Sequence, residues 1–73
     1  MGTKIHSSAI IEKGALIGEG SSIGAYSIIK SGVKIGKNNI IHSHVVIEGD
    51  TIIGDDNMIF PFAVIGSMPQ VIS

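Results

Sequence analysis

A chain of 73 residues holds one domain at most, and a chain this short buries a smaller share of its surface than an average domain does. The absence of cysteine excludes a disulfide framework and a cysteine metal site and fits a reducing compartment. Five basic against six acidic residues, spread without a basic run, argue against nucleic acid or an anionic membrane as partner.

The start, Met1-Gly2-Thr3-Lys4-Ile5-His6, has no apolar h-region, and no later apolar run approaches the roughly 18 residues that a spanning helix needs. Gly2 is a weak myristoylation signal, because His6 stands where that motif wants Ser or Thr. The chain reads as soluble and cytoplasmic, with no membrane insertion. Residues 1–4 are a lead-in, and from Ile5 one pattern takes over. Ile5, Ile11, Ile17, Ile23, Ile29, Ile35, Ile41, Ile47, Ile53, Ile59, Ile65 and Val71 place a β-branched aliphatic at every sixth position. Such a frame is the signature of a hexapeptide β-helix, which predicts an all-β solenoid over residues 5–73.

Within each hexad the fifth position is mostly small: Ala9, Ala15, Ser21, Ser27, Val33, Asn39, Val45, Thr51, Asn57, Ala63, Pro69. The fourth is rich in Gly, Asn and Asp, which tolerate left-handed backbone, so each hexad predicts a short strand and a turn. Alternate side chains of a strand share a face. The aliphatic and the small residue two before it therefore point inward, and the neighbours of the aliphatic point outward. The hexads starting at Ile17, Ile35 and Ile53 open Ile-Gly and echo one another at 18 residues. Three hexads thus make one triangular coil, with strands 18 residues apart stacked in parallel at about 4.8 Å. The hexads add up to about three and two-thirds coils. No capping element follows Val71, and the repeat reads as apparently truncated at its C-terminus, so low stability or association is expected.

Ile10, Ile28, Val46 and Val64 fall in one outward column, flanked by Glu12, Lys30 and Glu48 with alternating sign. A stacked apolar stripe of this kind is a subunit interface or a run of strand formers kept for β-propensity. His6, His42 and Phe60 share the second hexad position of the adjacent side, and Tyr26, His44 and Phe62 share the fourth.

Three segments resemble the N-terminal coils of the bacterial UDP-N-acetylglucosamine O-acyltransferases: Ile5 to Ala15, His42-Ser43-His44-Val45-Val46, and Ile59-Phe60-Pro61-Phe62-Ala63-Val64-Ile65-Gly66 on through Pro69-Gln70. The likeness spans residues 5–70. It implies a homotrimer of left-handed parallel β-helices that moves a 3-hydroxyacyl chain from acyl carrier protein to the 3-hydroxyl of UDP-N-acetylglucosamine in lipid A biosynthesis. The left hand, against the usual crossover preference, comes from the resemblance alone. By the same resemblance Gln70 binds substrate, the Asp and Lys that follow it in the family are replaced by Val71, Ile72 and Ser73, and the catalytic histidine lies beyond Ser73.

The histidines His6, His42 and His44 have the intrinsic basicity for proton transfer near neutral pH, but the sequence places no evident Ser, Cys or carboxylate partner beside them, and surface or interface roles are the simpler reading. His6 and His42 stand two coils apart, roughly 10 Å, too far to share a zinc ion bound at about 2.0–2.1 Å. Phe60 and Phe62 fit an acyl-binding wall or interface packing. Gly18, Gly36 and Gly54 are turn chemistry, since no helix follows to make a phosphate loop. No cofactor or metal site emerges. Two functions remain: the N-terminal part of an acyltransferase, inactive on its own, and a non-catalytic association module of hexapeptide repeats.

Overall fold

The computed structural model describes residues 2–66, 71 and 72. Among these, twelve two-residue strands run β1 (Lys4–Ile5), β2 (Ile10–Ile11), β3 (Leu16–Ile17), β4 (Ser22–Ile23), β5 (Ile28–Ile29), β6 (Lys34–Ile35), β7 (Ile40–Ile41), β8 (Val46–Ile47), β9 (Ile52–Ile53), β10 (Met58–Ile59), β11 (Val64–Ile65) and β12 (Val71–Ile72). They assemble into three four-stranded parallel sheets with orders β1-β4-β7-β10, β2-β5-β8-β11 and β3-β6-β9-β12. The chain is therefore a three-sided solenoid, wound so that each strand pairs with the strand three hexads on.

The registers carry out the 18-residue rule. Ile11, Ile29, Ile47 and Ile65 align across one sheet, Ile5, Ile23, Ile41 and Ile59 across another, and Ile17, Ile35 and Ile53 across the third. The middle members of each row are buried, while Ile11, Ile17 and Ile65 are partly buried against them. Ile5, in the outermost coil, is 44% exposed. Its strand pairs on one side only, with β4, and its apolar area stays partly in water.

The small inward residues do more than make room. Ser21 Oγ donates to the Gly36 carbonyl at 2.8 Å and accepts the Asn39 N–H at 3.1 Å. Asn39 Nδ2 donates to the Gly54 carbonyl at 2.7 Å, and its Oδ1 accepts the Asn57 N–H at 2.7 Å. Ser27 Oγ repeats the arrangement one corner along, donating to the His42 carbonyl at 2.7 Å and accepting the Val45 N–H at 3.2 Å. Ser21, Ser27 and Asn39 are buried. Such groups lower stability unless hydrogen-bonded, and here each links its own coil to the next.

In one place the strict six-residue frame fails. It puts Val71 in line with Ile53, whereas the structure pairs Val71 with Ile52 and Ile72 with Ile53. The step from Ile65 to Ile72 is seven residues, and Ile72, not Val71, occupies the twelfth frame position, partly buried against the core.

Candidate functional site

Three corners join the three sheets, and each solves the same backbone problem with different residues. The corner after the β3 sheet carries Gly20, Asn38 and Asp56 at positive φ (81°, 58° and 61°). The corner after the β2 sheet uses Gly14 and Gly32, and then moves the left-handed residue one place earlier in the hexad to Gly49, so that Asp50, the fourth residue of its hexad, is not the one at positive φ. The corner after the β1 sheet holds Tyr26, His44 and Phe62 at φ 60°, 59° and 67°. A bulky side chain in this region costs about 1–2 kcal/mol per residue, so this corner is where side-chain identity has overruled backbone preference.

Stacking at coil spacing turns these residues into a ladder of rings. Tyr26 and His44 have centroids 5.2 Å apart, and His44 and Phe62 5.0 Å. On the adjoining sheet face His42 stacks on Phe60 at 5.9 Å with an interplanar angle of 12°. Tyr26, Phe60 and Phe62 are all largely exposed. The corner's backbone is pinned from below, because the His44 N–H donates to the Ala25 carbonyl at 2.9 Å and the Phe62 N–H to the Ser43 carbonyl at 3.3 Å.

His6 has a partner that the sequence alone does not reveal. Ser8 Oγ lies 2.8 Å from His6 Nδ1, and the Ser8 N–H donates to the same nitrogen at 3.1 Å. Ser8 Oγ also accepts the Tyr26 N–H at 3.0 Å, so the hydroxyl's own proton is left to point at the imidazole. The signal was local, a His and a Ser two residues apart across a turn. Because the same nitrogen accepts a backbone amide, the contact closes the first turn and ties it to the coil above.

The sequence-predicted residues are thus partly gathered: His42 and Phe60, and Tyr26, His44 and Phe62, share one corner region. His6 stands two coils below His42 in the same column, with Gly24 between them. No group of three or more His, Cys, Asp or Glu side chains that could hold a metal occurs among the described residues. Gln70, the residue that the resemblance assigns to substrate, lies outside the described residues. The outward stripe forms as expected, with Ile10 and Val64 at its ends 56% and 71% exposed. Lys30 Nζ approaches Glu12 Oε2 at 3.4 Å, and the Ser31 N–H donates to Glu12 Oε1 at 3.0 Å. That backbone bond above all holds the Glu12 carboxyl below its ordinary pKa; desolvation opposes it, and the hydrogen bond and charge of Lys30 add smaller lowering effects. No helix among the described residues is long and apolar enough to cross a membrane.

The family model for bacterial transferase hexapeptide (six repeats) matches residues 14–49. The chain is similar to the solved structure of UDP-N-acetylglucosamine acyltransferase from Campylobacter jejuni, with 43% identity and a TM-score of 0.84 over 86% of this chain. It spans 25% of that protein's length. No curated protein matches it. The match establishes the three-sided solenoid as a left-handed parallel β-helix.

Proposed function

We propose, from the premise that the chain belongs to the hexapeptide-repeat β-helices, that it is the N-terminal part of an acyltransferase of the UDP-N-acetylglucosamine type. The reaction is transfer of a 3-hydroxyacyl chain from acyl carrier protein to the sugar 3-hydroxyl in lipid A biosynthesis, in the cytoplasm and within a homotrimer. The observation that carries this reading is the 43% identity sustained over 86% of the chain at a TM-score of 0.84. Fold similarity alone would not carry function; identity at this level supports more.

The described residues supply scaffold and wall and not the base. Attack by a sugar hydroxyl needs a general base within about 2.6–3.2 Å of the proton it removes. His6 is engaged with Ser8, while His42 and His44 are stacked on rings. The purified chain is therefore inactive by itself. A chimera in which it replaces the matching quarter of the Campylobacter jejuni enzyme retains acyl transfer. A folded, trimeric chimera without transfer overturns the reading. So does transfer by the chain alone that His42→Ala or His44→Ala abolishes.

The outward column of Ile10, Ile28, Val46 and Val64, exposed at its two ends and half-buried in the middle, supports a second reading, an association module. Here Ile10→Lys, Ile28→Lys and Val46→Lys together weaken self-association at least about tenfold, as three charges buried in an apolar contact would. The turn set Glu19→Lys, Lys37→Glu and Asp55→Lys leaves it unchanged. Equal sedimentation of the two triple variants removes the stripe from the interface.

A further inference from the structure

In the column that runs His6, Gly24, His42 and Phe60 up the face of the β1 sheet, every coil presents a ring except one. Gly24 is held to glycine by its neighbours and not by its own φ: a Cβ there would sit 2.7 Å from the carbonyl carbon of His42 and 2.8 Å from both its oxygen and the Ser43 nitrogen. The missing ring leaves a groove lined by Lys4, His6, Ser22, Gly24, Ile40 and His42, among others.

Both end walls are fixed before anything enters. His6 is oriented by its two contacts with Ser8, and His42 is backed by Phe60, 12° from coplanar, while its carbonyl is tied to Ser27. The walls are two coils apart, roughly 10 Å. One ring placed between them would lie about 5 Å from each, within the range at which aromatic pairs attract and at the spacing of the Tyr26–His44–Phe62 ladder beside it, 5.2 and 5.0 Å. Ile40 gives the groove an apolar flank, and Ser22 and Ser43 also line it. Among the described residues the lining contains one lysine, Lys4, and no carboxylate.

We infer that this groove is a binding slot for a planar heteroaromatic anion, its ring inserted over Gly24 between His6 and His42 and its negative group directed toward Lys4. The slot does not involve Gln70, and the inference stands apart from the acyl-transfer reading.

The test is titration of the chain with adenosine 5′-monophosphate, followed by the ring proton resonances of His6 and His42 and by calorimetry. Adenosine and ribose 5-phosphate are the arms that remove the charge and the ring. Adenosine monophosphate shifts both histidine rings and its own base protons move upfield. Ribose 5-phosphate leaves the rings in place, and adenosine binds more weakly than the nucleotide. His42→Ala weakens binding about 5- to 150-fold, the range that base–aromatic stacking supports. His42→Phe, which keeps a ring, restores it, and Lys4→Gln erases the preference for nucleotide over nucleoside. The slot is overturned by equal binding of ribose 5-phosphate, by no binding at millimolar nucleotide, or by affinity unchanged in a folded His42→Ala chain. Ring shifts that follow protein concentration without nucleotide overturn it as well, since a second copy would then fill the gap.

Discussion

Two of the corners reach a left-handed backbone in opposite ways. At Gly20, Asn38 and Asp56 the chain uses residues for which positive φ is cheap, and at Tyr26, His44 and Phe62 it uses residues for which it is not. The geometry is nearly the same, so the difference lies in what is exposed: short polar groups on one edge and a stack of rings on the other. Strain of this kind is tolerated where the surroundings over-determine the backbone, and the cross-coil amide bonds of His44 and Phe62 do that here. The comparison marks the aromatic edge as the part of the surface shaped by something other than folding.

The largest expected effect comes from forcing the permissive corner to behave like the aromatic one. In Gly20→Val the new Cβ would meet the Asn38 side chain, and φ is 81°. A β-branched residue there destabilises by about 2–4 kcal/mol, read from urea unfolding of the two proteins side by side. A loss under about 1 kcal/mol would mean that this corner relaxes easily and that the contrast between the two edges is shallow.

His44→Asn, the reverse exchange, relieves about 1 kcal/mol of backbone strain and gives up two ring contacts worth about 0.5–1.5 kcal/mol each. The net change is a loss of about 0–2 kcal/mol. A loss beyond about 2 kcal/mol would show that the ring stack itself holds the corner. The smallest effect concerns the remaining corner, where Glu12 accepts the Ser31 N–H of the next coil. Its folded pKa is depressed, so its contribution is present above the unfolded value near about 4.3 and fades as pH falls through the folded one. Wild type is therefore slightly more stable than Glu12→Gln at neutral pH, and the gap closes in acid. A gap that widens in acid would contradict the assignment.

The fold was legible because a hexapeptide solenoid writes one constraint into every sixth residue, and stacking of coils repeats it at 18. Neither needs information about distant parts of the chain. The outward stripe and the gathering of Tyr26, His44 and Phe62 followed from the same arithmetic. What arithmetic could not supply was direction within a turn: that Ser8 folds back onto His6, that Gly49 and not Asp50 takes positive φ, and that Gly24 opens a gap because His42 backbone crowds it. Those depend on which lone pair or carbonyl lies nearest, a matter of ångströms that residue types leave open.

The seven-residue step from Ile65 to Ile72 acts as a phase shift. Up to Ile65, knowing a residue's number modulo six tells whether it belongs to core or solvent, and modulo eighteen tells which face it is on. After the step both remainders change by one, as Ile72 opposite Ile53 records. An alignment that holds the period rigid across Gly66 therefore sets Val71 opposite Ile53, where the structure places Ile72. A substitution meant for the twelfth frame position belongs at Ile72, the residue packed against the core.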